Sequence, residues 1–79
     1  MNTTDYIVDV TTEDKAGLMS YLGSVVGITS VADGGCYRED AGWSQVHISA
    51  LSAVWSLVDL DAALYTSNFD IAGIVLAGE

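Results

Sequence analysis

The amino-acid sequence predicts a single α+β domain, residues 1–79, whose elements follow the order strand, helix, strand, strand, helix, strand. Two segments alternate apolar and polar residues, and two others repeat apolar residues with the period of a helix. Hydrophobic residues make up 51% of the 79 residues, which suits one small domain with a dense core and excludes a disordered acidic chain.

The first strand is predicted from residues 4–11, which alternate along their whole length. One face carries Tyr6, Val8 and Val10, and the other carries Asp5, Ile7 and Asp9. The segment is therefore expected to be a half-buried strand with two carboxylates on its exposed face.

The first helix is predicted to start at Thr11–Asp14, because threonine can cap free amides and carboxylates favour the positive end of a helix. Its buried stripe is predicted from helical spacing and consists of Leu18, Leu22, Val25 and Val26. Gly27 is the expected stop, since glycine readily adopts the left-handed backbone found there.

The middle of the chain predicts a hairpin. Residues 28–32 form the second strand, residues 33–35 are turn residues, and residues 36–39 continue the strand after a bulge. Residues 40–42 form the tip, and residues 43–51 alternate as the third strand.

The last third predicts a helix over residues 52–66, a break at 67–68 and a largely apolar strand over 70–77. The inner face of this helix is expected to carry Ala53, Leu57, Leu60 and Leu64. The element order favours a split βαβ, ferredoxin-like sandwich, with a four-stranded antiparallel sheet and both helices on one face. In that topology the first and third strands are neighbours, so Asp5, Ile7 and Asp9 should share the open face with Gln45, His47 and Ser49.

The charge balance restricts the partners. The chain has 11 acidic residues and 2 basic ones, Lys15 and Arg38, with a net charge of −9. Such a field repels nucleic acid and anionic membranes and attracts basic surfaces. A purely solubilising role for the acids, or adaptation to high salt, stays open at this stage.

No catalytic or metal-binding motif is present in the sequence. His47 and Cys36 are the only histidine and cysteine, too few for a structural zinc site, and no local motif supports a serine nucleophile. The acidic loops lack the spacing of a calcium loop, and no phosphate loop is present. We therefore predict a protein that is not an enzyme and uses no cofactor or metal.

Carboxylates are the candidate partner-binding residues. They would pair with arginine and lysine side chains that otherwise hold phosphates, in imitation of the charge of DNA. The sequence places the candidates near the first strand and helix start and around the hairpin: Asp5, Asp9, Glu13 and Asp14 first, with Glu39 and Asp40 second.

Residues 6–31 resemble the opening of an ACT domain, which runs from a strand through an Asp-x-x-Gly-Leu turn and a helix to a Gly-Ile at the second strand. The matching residues are Asp14, Gly17, Leu18, Gly27 and Ile28. The resemblance implies the split βαβ fold and, as an alternative function, a homodimeric amino-acid sensor.

In size, acidity and lack of catalytic groups the whole chain also resembles the small phage-encoded anti-CRISPR inhibitors. This resemblance implies a stand-alone inhibitor in the host bacterial cytoplasm that binds a basic, nucleic-acid-handling subunit of a CRISPR effector complex, most naturally of type I. A structural accessory subunit, associating through Trp55 and the second helix, is a further alternative.

Overall fold

A computed structural model describes residues 2–38 and 42–77 of the chain. The elements are β1 (Thr3–Thr11), α1 (Thr12–Gly23), β2 (Ile28–Arg38), β3 (Trp43–Leu51), α2 (Leu57–Thr66) and β4 (Ile71–Leu76). The predicted element order is therefore confirmed.

The four strands form one antiparallel sheet in the order β2-β3-β1-β4. With two helices, this is an α+β arrangement consistent with a ferredoxin-like βαββαβ fold, as the sequence predicts. β1 and β3 are central, and their register pairs Asp5 with Ser49, Ile7 with His47 and Asp9 with Gln45.

One face of the sheet is covered by both helices and holds the core. The alternate residues of β1 and β3 meet two leucines from each helix there. The fully enclosed set is Tyr6, Val8, Val10, Val46, Ile48, Ala50, Leu18, Leu22, Leu60 and Leu64. Because the side-chain period of a strand is two, this arrangement leaves the remaining side chains of β1 and β3 on the opposite, open face.

α1 ends earlier than the sequence predicts. The helix stops at Gly23, so Val26 no longer continues the helical stripe and is 86% exposed. The predicted core position of Val26 is therefore wrong. Gly27 instead lies in the loop before β2, where its φ of +94° explains the glycine. The Thr11 side chain makes no capping hydrogen bond.

α2 begins at Leu57 and not at residue 52. The Ser56 hydroxyl accepts a hydrogen bond from the Asp59 amide at 3.2 Å and caps the helix there. Ala53 therefore lies outside the helix, and Leu57 is 37% exposed. The Trp55 indole N–H donates to the Val26 carbonyl at 2.9 Å, which ties the segment before α2 to the loop after α1.

β2 is one strand from Ile28 to Arg38, and the predicted turn at residues 33–35 lies inside it. Its pairing with β3 shifts register between Asp33 and Cys36, where the sequence predicts a bulge, and at two other places. Of the predicted hairpin tip, residues 40 and 41 lie outside the described part of the chain, and Gly42 has a φ of +71°.

Ser44 is a fully buried polar residue beneath the start of α1, and its hydroxyl lies 2.8 Å from the Thr12 hydroxyl. We expect Ser44→Ala to lower the free energy of unfolding by about 1 kcal/mol, since Thr12 is exposed enough to bond water instead. Urea denaturation measures this, with Ser30→Ala on the exposed part of β2 as control. A loss as small as that of the control would mean that the hydroxyl pair contributes nothing.

Candidate protein-binding surface

The open face of the sheet carries polar side chains on either side of Ile7 along its two central strands. Asp5 and Asp9 stand on it four residues apart in β1, which corresponds to about 13 Å along a strand. The Ser49 hydroxyl donates to Asp5 Oδ1 at 2.6 Å, and the Gln45 amide lies 3.4 Å from Asp9 Oδ1. Both carboxylates are held by neutral β3 side chains, so their charges are not cancelled.

His47 lies between these two carboxylate positions, opposite Ile7. A Cβ at Gly34 would lie 2.6 Å from His47 Cδ2 and 2.9 Å from the Gln45 carbonyl oxygen. The imidazole therefore covers the β2 backbone at Gly34, and a glycine is required there because of this close approach.

A second group of carboxylates gathers where β1 passes into α1. The Thr11 amide donates to the Asp70 carbonyl at 3.1 Å, and the Asp70 amide donates to Asp14 Oδ2 at 2.8 Å. Glu13 precedes Asp14 in the first turn of α1 and is exposed. We call Glu13, Asp14 and Asp70 the acidic end; Asp9 adjoins it on the open face, two residues before Thr11.

Lys15 is close to the acidic end but is engaged elsewhere. Its ammonium nitrogen lies 3.1 Å from both carboxylate oxygens of Asp33, which joins α1 to β2. Among the side chains that the structure describes, Lys15 is the only lysine or arginine. The negative charge of Glu13, Asp14 and Asp70 is therefore not offset by a described basic side chain.

A groove of about 280 Å³ lies between α2 and the start of β4. Asp61 and Tyr65 line it from the helix, and Phe69, Asp70 and Ala72 line it from the chain that leads into the strand. Tyr65 is 88% exposed, so its ring is available at the surface.

The predicted site residues are therefore distributed over two regions. Asp5 and Asp9 share the open face, whereas Glu13 and Asp14 belong to α1. Glu39 and Asp40 lie outside the described residues.

Sequence reasoning missed Asp70, and it noted Asp61 among the carboxylates of the second helix without making it a candidate site residue. The signal for Asp70 was available, because in an antiparallel β1–β4 pair the start of β4 must lie beside the end of β1.

Three of the five residues that carry the ACT resemblance lie inside α1, and Gly27 and Ile28 follow it in the loop and at the start of β2. Asp14, Gly17 and Leu18 are all helical, and Leu18 is in the core. A Cβ at Gly17 would lie 2.9 Å from the Phe69 ring, and Asp14 accepts from the Asp70 amide. The Phe69 ring therefore lies against the glycine, which remains exposed, and the Asp70 amide uses the carboxylate that the resemblance implies for a ligand.

The described fold and surface define a small α+β domain with an acidic end. Within residues 2–38 and 42–77, no three histidine, cysteine or acidic side chains are grouped to hold a metal ion. No helix in that part of the chain is both long and apolar enough to cross a bilayer. No protein-family model, no curated protein and no solved structure matches the chain.

Proposed function

We propose that this protein is an inhibitor that binds a basic, nucleic-acid-handling surface of a bacterial defence complex, in the manner of an anti-CRISPR protein acting on a type I effector. The observation that carries the proposal is the acidic end, formed by Glu13, Asp14 and Asp70. Their carboxylates are the chemical counterpart of arginine and lysine side chains that contact phosphates.

Charge geometry supports this function over nucleic-acid binding. The net charge is −9, and the open sheet face carries Asp5 and Asp9 with Ile7 and His47, and no lysine or arginine, between them. A phosphate backbone is repelled by such a face, whereas a basic protein surface is attracted to it. The amino-acid sensor has less support, because the Phe69 ring lies against Gly17 and the Asp70 amide already uses Asp14.

The test is DNA binding by purified type I CRISPR effector complexes in the presence of the protein. We expect the protein to prevent binding of target DNA, and the double variant Asp9→Lys, Glu13→Lys to lose at least about tenfold in apparent affinity for the complex. The affinity of the unaltered protein should also fall with salt, because exposed charges are screened over about 10 Å at 0.1 M.

Asp59→Lys is the matched control for Glu13→Lys. Both residues are exposed acids in the first turn of a helix, so the change in net charge and the penalty against the helix dipole are the same. Asp59 lies on α2 and does not line the groove that contains Asp70, and its variant should inhibit normally. Equal losses from the two single variants, or no inhibition of any type I complex, would contradict the proposal.

A further inference from the structure

β4 is an edge strand with free backbone groups. Among the strands that the structure describes it pairs with β1 only, and the Ala77 amide donates to the Asp5 carbonyl at 2.9 Å. Bonded and non-bonded pairs alternate along an antiparallel ladder, so Val75 is the next residue whose amide and carbonyl face β1. The amides and carbonyls of Ile74 and Leu76 therefore point away from the sheet.

The two edges of the sheet differ in how they resist a further strand. β2 shifts register against β3 at three places, and such bulges are a common way to blunt an edge. β4 has one irregularity, at Ala72, and then pairs regularly from Gly73 to Leu76. Its sequence, Ile-Ala-Gly-Ile-Val-Leu, contains no charge and no proline, so nothing in it repels an added strand.

The side chains beside this edge determine which charge a bound segment must carry. The groove beside it carries the carboxylates of Asp61 and Asp70, both exposed, and the exposed ring of Tyr65. A carboxylate pair next to an aromatic ring is a good environment for an ammonium or guanidinium group. Side chains of an added strand alternate in direction, so every second one would point toward α2 and this groove.

We propose that β4 binds an extended, basic segment of the partner protein as a fifth strand of the sheet. The Ile74 and Leu76 backbone groups hydrogen-bond the segment, and a lysine or arginine from it enters the groove between Asp61 and Asp70. The inference rests on the proposed function only in that the partner is basic.

A second copy of the chain is the competing occupant, and charge disfavours it. Each copy carries a net charge of −9, and β4 itself offers no cation to the groove of a neighbour. Two edges brought together would place like charges side by side, which raises the free energy of the pair. A basic strand gains from the same field.

The experiment is a nuclear magnetic resonance titration with a six-residue peptide of alternating lysine and valine. We expect the Ile74 and Leu76 amides to exchange with solvent at least about tenfold more slowly when the peptide is bound, because they become hydrogen-bonded. The same peptide with all of its backbone nitrogens methylated, and a peptide of alternating glutamate and valine, should give no protection.

Two matched pairs of variants locate the site. Ala72→Lys places a positive charge in the groove and should weaken peptide binding by at least about tenfold, whereas Ala32→Lys on the other edge strand should change it less than twofold. Asp61→Asn should weaken binding several-fold and reduce its salt dependence, while Asp59→Asn on the same helix should not.

Three results would overturn the inference: unchanged exchange of the Ile74 and Leu76 amides with peptide, equal binding of the methylated peptide, or a dimer of the protein alone in which those amides are already protected. Failure of this inference can be distinguished from failure of the proposed function. If Ala72→Lys abolishes peptide binding but inhibition of the effector complex persists, the edge inference fails alone. If the peptide binds as expected but no effector complex is inhibited, the proposed function fails alone.

Discussion

Leu60→Ala is expected to lower the free energy of unfolding by roughly 3–5 kcal/mol, the range for a leucine whose removal leaves a cavity in a packed core. Leu60 is 1% exposed and belongs to the face of α2 that packs into the core against the sheet. A chain of 79 residues has a total stability of only about 4–12 kcal/mol at typical values per residue. The variant should therefore be largely unfolded or melt at least about 10 °C lower.

Leu57→Ala is the matched control for this prediction. It makes the same chemical change on the same helix three residues earlier, but Leu57 is 37% exposed and closes no cavity. We expect a loss of about 1 kcal/mol or less. Thermal unfolding followed by circular dichroism measures both variants, and similar losses would show that α2 does not pack as described.

Gly27→Ala is expected to destabilise the protein by on the order of 2–3 kcal/mol, for two reasons that add. The φ of +94° is unfavourable for a residue with a Cβ. That Cβ would also lie 2.7 Å from the Trp55 indole nitrogen and 2.8 Å from Val54 Cγ1, so the indole must leave the Val26 carbonyl. Urea denaturation gives the free energy, and the indole N–H resonance of Trp55 should shift.

Gly23→Ala makes the same substitution four residues earlier and should have the opposite sign. Gly23 is the last residue of α1, its φ is not positive, and no atom lies within 4 Å of an added Cβ. Alanine there should stabilise the protein by about 0.5–1 kcal/mol through helix propensity and a more restricted unfolded chain. A destabilising Gly23→Ala, or a neutral Gly27→Ala, would contradict the assignment of the helix end.

The sheet was predictable from sequence because alternation is unambiguous in β1 and β3. Tyr6, Val8 and Val10 can be buried together only if Asp5 and Asp9 are exposed together, so one pattern determines both faces. The topology then follows from the element order. The prediction that Asp5, Ile7 and Asp9 share the open face with Gln45, His47 and Ser49 is confirmed. The register of the pairs comes from the structure.

The helix ends were harder to predict than the strands. Two glycines are possible ends of α1, and apolar helical spacing continues beyond the true end of α1 and before the true start of α2. Gly23 and Gly27 can both end a helix, and the choice depends on the contact of Gly27 with Trp55, a distant residue in sequence. Residues 52–55 have apolar helical spacing, but the indole bond to Val26 holds them outside α2. The pair Ser56 and Asp59, three residues apart, was a usable local signal for the true start.

The candidate site was predictable only in part. The acidic candidates on β1 follow from alternation, and Glu13 and Asp14 follow from the helix start. The meeting of Asp14 with Asp70 requires the β1–β4 register, since these residues are 56 positions apart. The outward direction of the Ile74 and Leu76 amides and carbonyls depends on the hydrogen-bond pairing of β4 with β1. The alternation of side chains gives no information about that pairing.

The position of the acidic end has a consequence for the approach to a partner. Glu13, Asp14 and Asp70 lie where β1 ends, whereas the two loops with the exposed Val26 and Val54 lie where β1 begins. Unequal charge at two extremities gives the molecule a dipole moment. A cationic surface exerts a torque on that dipole, so the protein rotates into alignment before any contact forms. A larger fraction of collisions therefore occurs in the productive orientation.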